Sequence, residues 1–360
     1  MSVWDSMSEE YTPKIINTNI KTRRLGYIVA LADLLGSSFL LVDDLQRKLE
    51  AWAEEHENDL ERYFSKSGFI KKSPRHYPAR RYIHLAENLR LLRISRNECA
   101  LTKIGQPLPT LDKSKQNPFE LSNEQKCYLL KRIIENDFDY ILPLLRLLEK
   151  HHHSQEIFSN FKEAVLKHLE TRIERIGDIL KSSGFMKRKQ LIMKWTQEKK
   201  YLENIIYPRL DWLLDIQILD REKSRKRIYE LTYNGRAFVE KILEDMEVEN
   251  NANAWLEDHY YEAFGRCFIK QSVISFDALK KEERSKIVYN LLEEAFNKFS
   301  PPNLPFQHIS AKTFLEFCCT KLIGVRILPT FTQIKNVLNS LSMYRFQWQP
   351  SMRDGFIMKI

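Results

Sequence analysis

Glycine and proline are scarce in this 360-residue chain, which holds 10 of the first and 13 of the second. With so few residues that supply left-handed turns and chain reversals, a loop-rich β-protein or a Gly-rich nucleotide fold is disfavoured, and a mainly helical chain is expected. The five cysteines, Cys99, Cys127, Cys267, Cys318 and Cys319, are an odd number without a C-x-x-C pair. They fit free buried thiols in a reducing compartment better than a disulfide framework or a zinc site. Long apolar runs are missing too. The most apolar stretch, Tyr27 to Val42, is interrupted by Asp33, Gly36, Ser37 and Ser38, and Met1 to Lys21 has no apolar signal core. Neither suits a bilayer span or a secretion signal, so a soluble cytoplasmic protein without a membrane partner is expected.

The usual catalytic spellings are absent: no G-x-x-x-x-G-K-[ST] phosphate loop, no G-x-S-x-G elbow and no H-E-x-x-H zinc helix. Glu124-Gln-Lys126 has the Glu-x-Lys spelling of a metal-dependent nuclease, but it falls at a predicted helix start rather than on a strand. Glu257, Asp258 and His259 are neighbours with no partner motif. In the run His151-His152-His153, adjacent side chains diverge, so three rings do not converge on one ion, and a solvated junction is expected. No catalytic residue, metal or cofactor is assigned.

What is present is an ordinary globular composition, 43% apolar and 29% charged, with a net charge of +9 that is unevenly placed. Residues 66–103 hold ten Lys/Arg against two Asp/Glu, residues 181–236 fourteen against seven, and residues 305–360 seven against two. Base-rich windows in an acidic background are the footprint expected of a polyanion-binding surface, the competing reading being solvated helix faces.

A short pattern occurs twice, about 130 residues apart. The first copy runs from Asn88 to Ile94, through a polar turn, then from Ala100 to Leu108. The second runs from Pro208 to Leu219, through a basic turn, then from Tyr229 to Phe238. Each reads as an amphipathic helix ending in a leucine pair, a β-hairpin, and a Leu-Thr-x-x-Gly step into another helix, at Leu101-Thr102 and Leu231-Thr232. A third, weaker copy without that step closes the chain: helices over 310–323 and 330–341, then Tyr344 to Trp348 pairing with Gly355 to Ile360. Between the copies, Ser122 and Gln125 have capping-box spacing, and a helical hairpin is expected over 122–148.

The pattern resembles winged-helix modules, and the second copy resembles the variant found in bacterial regulators and in the DNA-recognition lobes of restriction-type proteins. The resemblance implies a mainly α fold with small β-hairpins, as tandem winged-helix domains joined by helical linkers. The division expected is a loose leader (1–21), a first module (22–108), a connecting helical hairpin (119–150), a second module (155–246) and a C-terminal helical region (254–360) ending in the third copy. It implies a non-enzymatic subunit that binds double-stranded DNA, within a prokaryotic or phage DNA-transaction or antiviral defence complex, with protein partners or as a homodimer. A recognition helix would enter the major groove and a wing would contact the backbone, with Arg and Lys neutralising phosphates and Arg, Asn and His reaching base edges. In the first module those roles fall to Arg75, Arg80, Arg81, His84 and Asn88, with Arg93 and Arg96 on the wing. In the second they fall to Lys187, Arg188, Lys189, Lys199, Lys200 and Asn204, with Arg221, Lys223, Arg225, Lys226 and Arg227 on a basic hairpin tip. Pro208 lies inside the second recognition helix and is expected to kink or restart it. The rival reading is a protein-interaction scaffold that docks an ATPase, nuclease or SMC-like partner through the helical hairpin and the acidic helices of 256–299.

Overall fold

The computed structural model describes residues 11–64, 68–73, 76–114, 116–248, 252–269, 272–300 and 307–360. It is mainly helical with small sheets, as the shortage of turn formers implies. The first unit is built from α1 (Gly26–Leu35), β1 (Leu40–Leu41), α2 (Val42–Glu55), α3 (Glu57–Tyr63), α4 (Tyr77–Asn88), β2 (Leu92–Ser95) and β3 (Glu98–Leu101). The strands form an antiparallel sheet in the order β1-β3-β2. Pro78 sits in the first turn of α4, where its missing N–H costs nothing. Ala79, Tyr82, Ile83, Leu85 and Ala86 turn inward from that helix. Arg96 and Asn97 connect β2 to β3 with φ of 50° and 67°, the left-handed pair that a two-residue hairpin turn requires.

The expected helical hairpin is instead one 28-residue helix, α5 (Asn123–Lys150), opened by the Ser122–Gln125 capping box and kinked at Asp137. Apolar residues on every side of it are buried, so it serves as the central post of the molecule rather than a surface connector. The second unit continues with α6 (Ser154–Ile176), α7 (Ile179–Met193), α8 (Glu198–Asp215), α9 (Arg221–Ser224) and α10 (Tyr233–Val248). Only single bridges, His153 to Ile228 and Leu219 to Leu231, stand where strands were expected. The histidine run is therefore not merely a solvated junction: it supplies a strand-like edge, with Tyr229 N–H donating to the His152 carbonyl at 2.7 Å.

The third unit places α11 (Ala252–Asp258), α12 (Tyr260–Phe268), β4 (Ile274–Ser275) and α13 (Lys281–Phe299) ahead of β5 (His308–Ser310), α14 (Ala311–Gly324), β6 (Ile327–Leu328), α15 (Phe331–Ser340), β7 (Tyr344–Gln349) and β8 (Asp354–Lys359). Strands β5, β8 and β7 form an antiparallel sheet in the order β5-β8-β7, so the strand before the helix pair joins the last strand, as β1 joins β3 in the first unit. The hairpin over 344–359 was legible from its alternation; β5 was not.

The leader is not loose over its described part. Residues 11–20 form an extended strap in which Lys14 and Ile16 N–H donate to the Asp139 and Asp137 carboxylates at 2.7 and 2.8 Å. Arg209, fully buried, reaches the Ile16 carbonyl at 2.9 Å and grips Asp137 at 2.6 Å. Helix α8 runs through Pro208 unbroken. The proline removes the N–H that would have met the Asn204 carbonyl, and the Thr18 hydroxyl of the strap donates to that carbonyl instead, at 2.6 Å.

Candidate nucleic-acid interface

The repeat in the sequence is a repeat of hydrogen bonds. After α4, Arg90 adopts φ 60° and Leu91 N–H returns to the Ala86 carbonyl at 2.9 Å; after α8, Gln217 adopts φ 68° and Ile218 N–H returns to the Leu213 carbonyl at 2.9 Å. Both are left-handed helix ends that satisfy otherwise orphaned carbonyls. The Thr102 hydroxyl donates to the Arg90 carbonyl at 2.6 Å and accepts from Gly105 N–H at 3.0 Å. The Thr232 hydroxyl donates to the Gln217 carbonyl at 2.9 Å and accepts from Gly235 N–H at 2.9 Å. The glycines permit this closure: a Cβ would stand 1.8 Å from the Leu91 carbonyl oxygen at Gly105, and 2.1 Å from that of Ile218 at Gly235. Even the incoming strand matches, since Val42 N–H donates to Asn97 and Ser154 N–H to Arg227 at the start of α2 and α6.

On this shared joint, the first unit carries its cations outward. Arg80, Arg93 and Arg96 are exposed, and none is ion-paired among the described residues; the same holds for Lys71, Lys72 and Lys103, which were not singled out from the sequence. Arg80, His84 and Asn88 follow four-residue spacing along one side of α4. Arg81 lies over the Tyr77 ring at 4.5 Å, and His84 is 3.3 Å from Glu87. Arg75 lies outside the described residues.

The second unit differs. The expected basic wing is a short helix, α9, capped by Asp220. Arg221 lies 3.9 Å over the Tyr63 ring and donates to the Tyr63 carbonyl, which ties α9 to the first unit. Lys223 pairs with Glu230 at 2.6 Å, and Arg225 approaches Glu222 at 3.6 Å. Arg227 lines a cavity, and only Lys226 of the five is left facing solvent without a carboxylate or cavity among the described residues. The short excursion between Asp220 and Glu230, started by a strong helix cap, favoured a helical turn over two strands. On α7 and α8, Lys187, Lys199 and Lys200 are exposed and unpaired among the described residues, whereas Lys189 pairs with Glu170 at 2.6 Å. Arg188 donates to the Tyr140 hydroxyl at 2.8 Å. The Asn204 side chain accepts from Ile20 N–H at 3.0 Å and so holds the strap.

The face of α8 equivalent to the outer side of α4 is buried. Counting back from the shared joint, Asp211 and Asp215 of α8 stand where α4 has His84 and Asn88. Arg23 pairs with Asp211, and Arg24 with Asp215 at 3.0 Å, all four at or near the seam with the first unit. Burial pushes the Asp215 carboxyl up to about 6, although Arg24 and the Leu25 N–H pull it the other way.

In the third window most cations are engaged: Lys312 with Glu135, Lys321 with Glu124, Arg353 with Glu257 and Lys359 with Glu293. Lys335 lies 3.7 Å over the Trp348 ring. Arg326 and Arg345 remain exposed and unpaired among the described residues. The charge windows therefore mix internal clamps with free surface cations, and sequence counting cannot separate the two.

Among the described residues no cluster of His, Cys, Asp or Glu is arranged to hold a metal ion, and no helix is long and apolar enough to cross a membrane. All five cysteines are free, four of them buried. No protein-family model, curated protein or solved structure matches this chain.

Proposed function

We propose that the chain is a non-enzymatic duplex-DNA-binding subunit of tandem winged helices, in a larger prokaryotic or phage DNA-transaction or defence complex, with the first unit as the gripping surface. A helix, an early strand, further helices and a closing hairpin, with the early strand beside the last, support the winged-helix reading of the first unit and, with the short strand β6 inserted between its helices, of the third. The observation that carries the DNA reading is the set of unpaired cations on α4 and on the hairpin behind it: Arg80, Arg93 and Arg96, with Lys103 after the hairpin. Cations not engaged by carboxylates are the ones available to displace counterions from phosphate.

The test is fluorescence anisotropy of a labelled duplex at several salt concentrations. With about six phosphates neutralised, affinity falls roughly 10³-fold between about 50 and 200 mM salt. A slope near zero removes the reading. The alternative, a scaffold that docks a protein partner, is favoured by one observation: α7 leaves Ile179 and Leu180 77% and 85% exposed. Charging both residues, Ile179→Glu with Leu180→Glu, leaves duplex affinity unchanged on the DNA reading.

A further inference from the structure

Between the first and second units lies a cavity of about 440 Å³, within the range of small-molecule sites. Its walls include Arg23, Tyr207, Asp211, Arg225, Arg227 and Tyr229. We propose that this seam cavity is a binding site for a mononucleotide, its phosphate held by Arg227 and Arg225 and its base set against the Tyr207 and Tyr229 rings.

Charge argues for an anion. Asp211 is buried and already faces two guanidinium groups, Arg23 beside it and Arg24 at 3.8 Å, while Arg24 also meets Asp215. That inner quartet is neutral. Arg225 and Arg227 stand outside it as surplus: Arg227 has no carboxylate partner among the described residues, and Arg225 has only Glu222, 3.6 Å away with both side chains at least half exposed. An exposed pair of that kind contributes little and is readily exchanged for a better anion. Arginine is also the residue suited to planar, two-point recognition of a phosphate.

Tyr229 argues for a built site. It lines the cavity, is only 5% exposed, and its hydroxyl makes no hydrogen bond among the described residues. A hydroxyl that opens onto the cavity and has no protein partner is available to a ligand or to water. Tyr207 packs in a tilted contact with Phe158, ring centroids 4.9 Å apart, and the Arg23 guanidinium lies over its ring at 5.2 Å. A fixed aromatic face beside cations is the arrangement that stacks a base. A bare phosphate fills only a small part of the space.

The phosphate can come from a free nucleotide or from the phosphorylated end of a strand, and the experiment separates these. Thermal shift and calorimetric titration of the full chain are made with inorganic phosphate, with purine and pyrimidine mononucleotides, and with a short oligonucleotide bearing a 5′-phosphate or a 5′-hydroxyl. The variants are Arg227→Ala, an exposed position whose loss does not threaten the fold, and Tyr229→Phe, which keeps the ring and removes the hydroxyl. A mononucleotide that binds more tightly than inorganic phosphate, and loses at least 10-fold in affinity in Arg227→Ala and several-fold in Tyr229→Phe, supports the site. The same losses seen for the 5′-phosphorylated strand only overturn the mononucleotide and assign the cavity to strand ends. No binding by any probe at millimolar concentration, or binding that both variants leave unchanged, overturns the site altogether. The mononucleotide arm contains no duplex, so it stands or falls separately from the DNA reading of α4.

Discussion

The first and second units share one joint and use it in opposite ways. In both, a left-handed residue ends a helix, two apolar residues follow it into the core, and a threonine returns to cap the close. Beyond the joint, the first unit has a hairpin of two four-residue strands with Arg93 and Arg96 in solvent, while the second has a helical turn whose cations fold back on Tyr63, Glu230 and the seam. The helix ahead of the joint diverges likewise: His84 and Asn88 on α4 are half-buried, and their counterparts Asp211 and Asp215 on α8 are buried against arginines. Conserving the joint conserves the scaffold and leaves the two faces free to differ. One keeps a cationic surface; the other becomes an internal contact.

The comparison breaks first at the glycines. Gly105→Ala and Gly235→Ala each drive a methyl group to about 2 Å from a carbonyl oxygen, a distance that the backbone must move to relieve. Each is expected to cost about 3 to 5 kcal/mol or prevent folding, at the upper end of single-substitution effects. Urea unfolding of the two variants checks this, and similar losses are expected because the joints are alike. A neutral result at one site would separate the two units.

Next comes the seam. With its folded value raised to about 6 from an ordinary carboxylate value, Asp215 binds a proton more readily in the folded protein than in the unfolded chain. Its contribution is therefore fully present below about pH 4 and is lost as pH rises through about 6, by on the order of a few kcal/mol. Asp215→Asn lacks this titration. Measured against wild type by urea unfolding between pH 4 and 7, the variant is expected to gain relative stability as pH rises. Parallel profiles would show that the seam carboxyl does not titrate in that range.

The DNA reading sharpens the same contrast. Arg93→Glu with Arg96→Glu is expected to weaken duplex binding by about 10- to 100-fold, two lost and reversed phosphate contacts. Lys223→Glu with Lys226→Glu, on the second unit's turn, is expected to change it less than about threefold. Anisotropy at one fixed salt concentration compares them directly, and equal losses would return the second turn to the DNA surface.

Much of this contrast was legible in the sequence and part of it could not be. The joint was legible because it rests on local chemistry: a threonine that caps, a glycine that admits a carbonyl, and leucines at fixed spacing. The helical character, the Ser122–Gln125 cap and the hairpin over 344–359 are local in the same sense. The helix α5 was misread as a hairpin because Asn136-Asp137 looks like a turn, whereas the kink there is held by Ile16 and Arg209, partners 121 and 72 residues away. The fate of Arg209, Arg221 and Asn204 depends on such distant partners as well. A count of basic residues cannot distinguish an arginine clamped on a buried aspartate from one in solvent.

The smallest effect tests the joint itself. Thr102→Val and Thr232→Val keep the shape of the side chain and remove a hydroxyl that both donates to a helix-end carbonyl and accepts from a glycine N–H. A cap of this kind is worth about 1 kcal/mol, so each variant is expected to lose about that much in urea unfolding. Duplex affinity should then respond only to Thr102→Val, because its hydroxyl positions the strand that carries the exposed arginines. The Thr232 joint supports a turn directed at the seam, and its loss should leave the DNA surface as it was. Equal losses of duplex affinity in both variants would mean that the two units grip together, and the division of labour between them would fail.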